Sequence, residues 1–408
     1  MLTNKYQEKR TQFYRNIESF WADLYGEEYA LYDVKLMSRQ EAAHIRLVTE
    51  RIGKVFTKTA TLLRKVPDDT LLGMGYPKET LSFLRLKTLP VESVIARLDL
   101  IPYRDGYKCI EINSDTPTFI KELFYINGKI CKEFGVKNPN EGMEGQLYKA
   151  VQDSINQSSK GKLLNIVFTA HEDNVEDRET VQYLKQAVSP SKFTPLHKLQ
   201  IQKGEGLFDE NGVRIDILYR QTFPIENAIL DEDEEGNPIG LWLLELVVEG
   251  KLIILNPSSA FLLQNKAVQA VIWGLHENRH PFFTEQEHKW IEDYFLPTYL
   301  EADPFLTKRL PYVKKPVFGR EGDTVEIFHE DGGLQYADSQ KSYTAYTSVY
   351  QLYIDQPVVN FQSEKGKQDG RLLLGSFLLN GKSSAIGYRV GGMITDNLSY
   401  YLPVGYCE

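Results

Sequence analysis

The chain has 408 residues, of which 42% are hydrophobic and 25% charged, and its formal net charge is −9. These values are typical of a folded globular protein, and the length allows two or three packed subdomains. Because an acidic chain does not attract nucleic acid or an anionic membrane overall, neither is expected as a partner. No run approaches about 18 apolar residues, and the first residues lack the apolar core of a signal peptide, so we expect a cytoplasmic protein.

The first third of the chain predicts helices followed by a β-hairpin. Apolar residues recur at a helical period between Tyr6 and Arg64, which indicates two helices. Residues 94–100 form an apolar strand pattern, and Asp105-Gly106 is a strong turn signal before a second strand over 107–112. The predicted hairpin therefore ends in a polar segment that begins at Asn113.

The middle of the chain has α/β character. Residues 122–157 are predicted to be helical with a break near 138–140, and 163–168 reads as a parallel strand that brings a loop to a cleft. A helix over 179–187 and a strand over 216–220 follow. The acidic run at 231–235 is interpreted as a solvated loop.

From about residue 253 onward, short strand-like segments alternate with Gly, Asp and Lys clusters, which favours antiparallel structure. The clearest segments are 312–316, 325–328, 348–354 and 372–379.

The densest group of polar residues lies on the two arms of the predicted hairpin. Arg97 and Asp99 are two residues apart on one strand, as are Glu111 and Asn113 on the other, so each pair points to one face. Carboxylate and amide oxygens suit Mg²⁺, and a neighbouring guanidinium can hold a phosphoryl or carboxylate group. A cross-strand salt bridge on an exposed hairpin explains the same spacing equally simply.

Other candidates for binding an anion are scattered along the chain. Thr116 and Thr118 follow the hairpin, where hydroxyl groups can receive an anionic substrate or make an ordinary turn. Lys315 precedes a glycine-bounded loop at 319–322, which can cover the phosphates of a nucleotide or simply connect two strands. Arg389 lies in an apolar segment, where its charge can stabilise a transferring phosphoryl group or form a structural salt bridge.

Several common signatures are absent from the sequence. There is no Walker A loop, GxGxxG, GxSxG or HExxH motif, and the three cysteines show no CxxC spacing. Zinc catalysis and a disulfide framework are therefore not expected.

Taken in order, these residues resemble the synthetase module of the glutathionylspermidine synthase family over roughly 91–402. The most specific part is Arg-x-Asp, a twelve-residue step to Glu-x-Asn, and then Asp-Thr-x-Thr at 115–118. The resemblance implies a mixed α+β and α/β architecture, namely a rearranged, glutathione synthetase-like ATP-grasp fold. Its implied parts are a helical region with the metal and substrate hairpin (1–150), a pre-ATP-grasp α/β subdomain (151–255), and a nucleotide-binding region with a lid (256–408).

The resemblance also assigns roles to residues. It implies Mg²⁺ ligands at Asp99, Glu111 and Asn113, catalytic arginines at Arg97 and Arg389, substrate contacts at Thr116 and Thr118, and an acidic pair toward the substrate amine at Glu172 and Asp173. For ATP it implies Lys266, Lys315, Gly319, Arg320, Glu321, Gly322, Gln351 and Arg389.

The implied activity is ATP-dependent ligation of a carboxylate to an amine through an acyl phosphate. The expected substrates are small molecules, such as a peptide or glutathione-like carboxylate and a polyamine or other amine. Because the chain lacks the amidase half of bifunctional members, hydrolysis of the product is not expected. The alternative is a nucleotide-binding regulatory protein of the same fold without turnover.

Overall fold

The structure is a computed structural model that describes residues 2–159, 161 and 163–407. Its α-helices span Leu2–Arg15, Arg39–Leu63, Asp68–Gly73, Leu81–Leu84, Asn127–Glu133, Met143–Ser159, Val175–Lys185, Ile225–Ala228, Ile239–Val248, Ser258–Gln264, Ala267–Glu277, Glu285–Tyr294 and Asp303–Lys308. A π-helical turn covers Glu122–Ile126, and 3₁₀ turns cover Lys78–Thr80 and Leu196–Lys198. None of the described helices has the length and apolarity that crossing a bilayer requires.

Three larger sheets organise the described strands. The main sheet is antiparallel and consists of Tyr400–Leu402, Lys382–Gly391, Gly366–Leu379, Ile95–Tyr103 and Gly106–Asn113 in spatial order, with Val358–Ser363 paired to Gly366–Leu379. The parallel sheet has the order Ile253–Leu255, Ile217–Gln221, Ile166–Ala170 and Lys192–Phe193. The outer sheet is antiparallel, in the order Thr298–Tyr299, Ser348–Leu352, Tyr312–Pro316, Glu326–Phe328 and Leu334–Ala337.

Smaller strands complete the described structure. Asp23–Leu24 pairs with Glu27–Glu28, and Lys35–Met37 pairs with Val404–Tyr406. A three-stranded antiparallel sheet is formed by Arg214–Ile215, Gly206–Phe208 and Gln200–Gln202.

The main sheet combines strands from residues 95–113 with strands from residues 358–402. The predicted hairpin is present, and its first strand, Ile95–Tyr103, pairs with Gly366–Leu379. This long-range pairing makes the hairpin the last two strands of one continuous sheet, with Gly106–Asn113 at the edge and Arg97 and Asp99 buried at 5% and 3% exposure. A salt bridge on an exposed hairpin is therefore not what the structure contains.

One long helix, Arg39–Leu63, covers the apolar face of the main sheet. Ser38 caps it by accepting a hydrogen bond from the Glu41 amide, as a residue at a helix N-terminus commonly does. Its buried residues follow a helical period and join the same hydrophobic cluster as Leu98 and Leu100 of the hairpin. Because side chains alternate along a strand, burying Leu98 and Leu100 against this helix turns Arg97 and Asp99 to the opposite face.

Asn256 joins the parallel sheet to the main sheet. Its Oδ1 accepts hydrogen bonds from the amides of Val94 and Ile95, at 2.9 and 3.1 Å, and its Nδ2 donates to the carbonyl oxygens of Ile95 and Asp115, at 3.0 and 2.7 Å. The side chain is buried, so these backbone groups have no ready access to water. A single amide thus holds both the entry to the hairpin and the loop that follows it.

We expect Asn256→Ala to destabilise the fold by about 2–4 kcal/mol, because it leaves several buried backbone groups without partners. Urea denaturation checks this as a lower midpoint. The control is Asn165→Ala, which removes a side-chain hydrogen bond to Arg214 at an exposed position and should change the midpoint little. Equal effects of the two substitutions would contradict the role assigned to Asn256.

Candidate functional site

A cavity lies between the polar face of the main sheet and the outer sheet. Most of the residues singled out in the sequence line it: Arg97, Asp99, Glu111, Asn113, Thr116, Thr118, Lys266, Lys315, Gly319, Arg320, Glu321, Gly322, Gln351 and Arg389. These residues come from segments up to 292 positions apart in the chain, so their convergence is a property of the fold and not of local sequence.

The register of the main sheet brings the hairpin residues together. Arg97 lies opposite Asn113 and Asp99 lies opposite Glu111. Arg97 Nε is 2.6 Å from Asp99 Oδ1, and Asn113 Nδ2 is 3.2 Å from Asp99 Oδ2 and 3.4 Å from Glu111 Oε1. Gly375, on the neighbouring strand, makes room for Arg97, because a Cβ there would lie only 3.2 Å from Arg97 Cδ.

Two lysines approach the hairpin from other elements. Lys266 Nζ lies 3.5 Å from Glu111 Oε2 and donates to the carbonyl of Gly319 at 3.0 Å. Lys315 Nζ donates to the carbonyl of Ile110 at 2.8 Å and to Gln351 Oε1 at 2.9 Å. Both ammonium groups are thus held at the floor of the cavity by carbonyl oxygens and one carboxylate.

The charges of the cavity shift one another's pKa. Burial lowers the pKa of Lys315 to about 8, although the Glu111 carboxylate opposes this change. For Glu111, burial opposes ionisation, but Lys266 and Lys315 outweigh it and lower the pKa to about 2. Glu111 is therefore ionised at neutral pH, whereas Lys315 is close to losing its charge.

Arg389 lies on the same face of the main sheet as Arg97. Arg389 pairs with Leu373 on the neighbouring strand. Gly375, two residues further along that strand, pairs with Asp99. Arg389 Nη2 donates to the carbonyl of Asp396 at 2.5 Å, while its Nε is buried without a hydrogen-bond partner among the described residues. One donor of this guanidinium is therefore left without an acceptor in the described part of the chain.

The loop at 319–323 covers part of the cavity. Glu321 and Gly322 both have positive φ, 57° and 76°, which turns the chain sharply at this point. A Cβ at Gly322 would lie 2.4 Å from Ile394 Cγ2, so only glycine allows this close approach to the segment that follows Arg389.

The other end of the cavity is apolar. It is formed by side chains of the main sheet, the outer sheet and the segments between them, namely Ile101, Leu296, Val313, Ile327, Leu352, Ile354 and Leu373. The amide of Gln351 is fixed beside this region, because it accepts from Lys315 and donates to Thr298 Oγ1 at 3.1 Å. A flat apolar group and a polyanion can thus be accommodated at opposite ends of the same cavity.

Asp99, Glu111 and Asn113 supply a donor set that fits Mg²⁺. Two carboxylates are hard ligands, and the Asn113 amide oxygen becomes a third once the amide turns its Nδ2 away from Asp99 and Glu111. Mg²⁺ in nucleotide sites takes its remaining ligands from water and phosphate. No cluster of three or more His, Cys, Asp or Glu residues with metal-binding geometry occurs in the described chain, so a dedicated protein cage is not present there. The set therefore fits a metal shared with a phosphate ligand.

Residues of the parallel sheet fix the loop that follows the hairpin. Asp115 forms a buried ion pair with Arg220, whose Nη2 lies 2.5 Å from both carboxylate oxygens. Gln221 Nε2 donates to the carbonyl oxygens of Thr116 and Pro117, at 3.1 and 3.3 Å. These contacts position Thr116 and Thr118 along the wall of the cavity next to Arg97, whose Nη1 donates to the Thr118 carbonyl at 2.9 Å.

Glu172 and Asp173 lie elsewhere. They line a second cavity together with His171, Thr169 and Thr222, at the carboxyl ends of the parallel strands. The structure therefore does not bring this acidic pair into the cavity with the hairpin residues.

A different acidic group lies near Arg389, one of the residues that line that cavity, and was not predicted from the sequence. Glu122 lies in the π-helical turn and accepts from Tyr29 Oη at 2.7 Å, and Glu176 and Asp177 lie in the first turn of Val175–Lys185. Burial, with the charges of Glu122 and Asp177, raises the pKa of Glu176 to about 8, while Arg389 opposes this increase. The available signal was the capping residue Asn174 followed by two acidic residues, a pattern that ordinary helix starts also show.

Comparison with known proteins identifies the family of the chain. The family described as "Glutathionylspermidine synthase preATP-grasp" matches residues 3–405. A Haemophilus influenzae protein named "Putative acid--amine ligase" is 23% identical over 320 residues, which cover 73% of this chain and 71% of that protein. The chain belongs to the glutathionylspermidine synthase family, as the motif order from Arg97 to Thr118 predicts.

The titration of Glu176 predicts a pH dependence of stability. A folded-state pKa of about 8 lies above the usual unfolded value near 4.3, so the folded state holds an extra proton between about pH 5 and pH 8. Stability from this group is complete below that window and is lost as the pH rises through it. We expect Glu176→Gln to increase stability relative to the parent chain by a few kcal/mol at about pH 8 and by little at about pH 5.

Thermal unfolding across this pH range measures the effect. Glu179→Gln, on the same helix, is the control for replacing a carboxylate by an amide. A constant difference for Glu176→Gln would show that its carboxyl group does not titrate in this window.

Proposed function

We propose that the chain is an ATP- and Mg²⁺-dependent ligase that joins a carboxylate to an amine through an acyl phosphate. The observation that supports this most strongly is the single polar face shared by Arg97, Asp99, Glu111, Asn113 and Arg389. Family membership and the printed name of the relative point to the same chemistry. In this proposal the two facing sheets correspond to a rearranged ATP-grasp arrangement, and the outer sheet with the loop at 319–322 acts as its lid.

Different regions of the cavity would bind the adenine ring and the phosphates of ATP. The apolar end would receive the adenine ring beside Gln351, whose amide keeps Lys315 in position. Lys266 and Lys315 would hold the phosphates, and the backbone amides of 319–322 with Arg320 would cover them. Closure of this loop would exclude water from a reactive acyl phosphate.

Asp99, Glu111 and Asn113 would hold Mg²⁺, which when bound neutralises phosphate charge and orients the oxygens for in-line transfer. For Asp99 this requires the Arg97 guanidinium to share or leave its carboxylate, since the two form a close ion pair. Arg97 would then be free to contact the transferring phosphoryl group, and Arg389, which lines the same cavity, would approach it with its guanidinium.

The two reacting groups would enter from opposite sides of the polar face. A substrate carboxylate would lie along Thr116 and Thr118, where its oxygen attacks the γ-phosphorus of ATP and ADP leaves. The amine would approach from the acidic side formed by Glu122, Glu176 and Asp177, and its nitrogen would attack the acyl carbon so that phosphate leaves. A buried carboxyl group whose pKa is raised stays protonated in the empty site, and a cationic amine beside it would favour its ionised form.

Release of ADP from ATP and Mg²⁺, scanned over carboxylate and amine pairs that include glutathione with spermidine, tests the proposal. We expect release that requires both a carboxylate and an amine, and an amide product detected by mass spectrometry. ATP binding without ADP release for every pair would instead identify a nucleotide-binding regulatory protein.

Glu111→Ala should reduce ADP release by at least about a hundredfold while keeping the fold, because it removes a proposed metal ligand at the cavity wall but little packing. The control is Glu141→Ala, at an exposed loop position, which should retain full activity. Unfolding of Glu111→Ala, or full activity in a folded variant, would contradict the assigned metal site.

Lys315 predicts how nucleotide affinity changes with pH. Because its pKa is lowered to about 8, the ammonium charge is lost as the pH rises through that value, and ADP should bind more weakly above it. Lys315→Met removes the charge at all pH values, so its weaker ADP binding should vary less with pH. Calorimetric titration between about pH 6.5 and 9 measures both, and parallel pH profiles would contradict a phosphate contact by Lys315.

A further inference from the structure

The second cavity is separate from the proposed ligation site. It has a volume of about 650 Å³ and lies where the parallel strands Ile166–Ala170 and Ile217–Gln221 end. Ligands bind preferentially beyond the carboxyl ends of such strands, because the loops there leave a crevice. None of the residues that line it also lines the cavity between the main and outer sheets.

The base of the second cavity carries polar atoms that lack partners. Thr169 Oγ1, His171 Nε2 and Arg220 Nε are buried and make no hydrogen bond within the described chain. Thr169 and Arg220 are among the most buried polar residues, at 0% and 3% exposure. Because an unpartnered buried polar atom costs free energy, three of them around one cavity indicate that a ligand completes their hydrogen bonds.

The charge balance at this base favours a neutral acceptor. The guanidinium of Arg220 is already compensated by the carboxylate of Asp115, 2.5 Å away. A second carboxylate at Arg220 Nε would add a buried charge without its own counterion, whereas an amide carbonyl can accept the same hydrogen bond at lower cost.

The rim of the cavity is acidic. Glu172 and Asp173 follow one strand, and Asp231 and Glu232 come from the loop before Ile239–Val248. Three cationic candidates lie near them: His171 lines the cavity, His197 Nε2 is 3.7 Å from Glu172 Oε2, and Arg178 Nη1 donates to the Glu172 carbonyl oxygen at 2.6 Å. Four carboxylates around an opening favour a positively charged group.

The walls between base and rim are aliphatic. They are formed by Leu196, Leu199, Leu207, Leu218, Ile225 and Leu243. A ligand that fits all three parts therefore has an apolar side chain, a neutral carbonyl and a cationic group.

We propose that the second cavity binds an aliphatic residue with a free α-ammonium group and an amide carbonyl, as found at the amino terminus of a peptide. The carbonyl accepts hydrogen bonds at the base from Arg220 Nε and Thr169 Oγ1. The ammonium group lies against the acidic rim, and the side chain packs on the leucine walls. This site is additional to the proposed ligation site and does not depend on turnover there.

L-Leucinamide is the probe, and calorimetry or ligand-observed NMR with the full chain is the measurement. We expect binding with a Kd on the order of 1 mM, as is usual for a ligand of this size. 4-Methylpentanamide, which lacks the ammonium group, and 3-methylbutylamine, which lacks the carbonyl, should each bind at least about tenfold more weakly.

Two variants locate the site. Asp231→Asn combined with Glu232→Gln removes two rim charges and should weaken leucinamide binding by about five- to tenfold. The matched control, Glu234→Gln with Glu235→Gln, removes two charges from the same acidic loop at positions that do not line the cavity, and should leave binding unchanged. Thr169→Val, which keeps the shape of a buried side chain, should weaken binding without changing the response to the amine comparator.

Other results would overturn the proposal. Equal binding of all three compounds would show that the cavity recognises only an apolar group. Competition by ADP, or loss of binding in Lys266→Met, would place leucinamide in the other cavity. Absence of binding up to tens of millimolar would exclude the proposed ligand class, whatever the outcome of the ADP-release assay.

Discussion

The buried ion pair between Asp115 and Arg220 fixes the loop on which both cavities depend. Asp115 follows directly after the hairpin of the main sheet, and Arg220 lies in the parallel sheet, so the pair joins two sheets that share no strand. Both side chains are at most 3% exposed. Because removing one partner of such a pair leaves an uncompensated buried charge at a cost of about 3–5 kcal/mol, the loop has little freedom to move away. The positions of Thr116 and Thr118 follow from this constraint.

The cavity between the main and outer sheets contains charges that the protein alone balances poorly. Lys315 has a lowered pKa and Glu176 a raised one, and in both cases burial is the largest cause. Asp99 and Glu111 lie close together and depend on Arg97 and Lys266 to offset their repulsion. A polyanion would neutralise the charges of the two lysines, and a divalent cation bound to it would neutralise those of Asp99 and Glu111. An ammonium group would likewise neutralise the acidic side formed by Glu122, Glu176 and Asp177. Perturbed groups of opposite kinds in and beside one cavity are typical of a binding site.

Local sequence patterns predicted the hairpin but neither its pairing partner in the sheet nor the acidic residues near Arg389. The hairpin from Ile95 to Asn113 follows from period-two alternation and an Asp-Gly turn, so the shared face of its polar residues was predictable. Its pairing with Gly366–Leu379 is a contact across more than 250 residues, and no local pattern specifies it. Glu176 and Asp177 were missed because acidic residues in a first helical turn usually need no further explanation than the helix dipole. Glu172 and Asp173, four residues earlier, lie before the helix begins, and that small shift along the chain directs them into the other cavity.

Adjacent residues of one strand connect the second cavity to the loop that lines the main cavity. Arg220 lines the second cavity, has a buried Nε without a hydrogen-bond partner among the described residues, and donates from Nη2 to Asp115, while Gln221 donates to the carbonyl oxygens of Thr116 and Pro117. A hydrogen bond to Arg220 Nε would therefore act on the same guanidinium that fixes the loop beside Arg97. Since coupling between sites requires an element that both ligands contact or restrain, this strand is the shortest physical route by which occupancy of one cavity could change affinity in the other. Coupling through it would be reciprocal: a ligand that orders the loop from the main cavity would strengthen binding at Arg220 by the same factor.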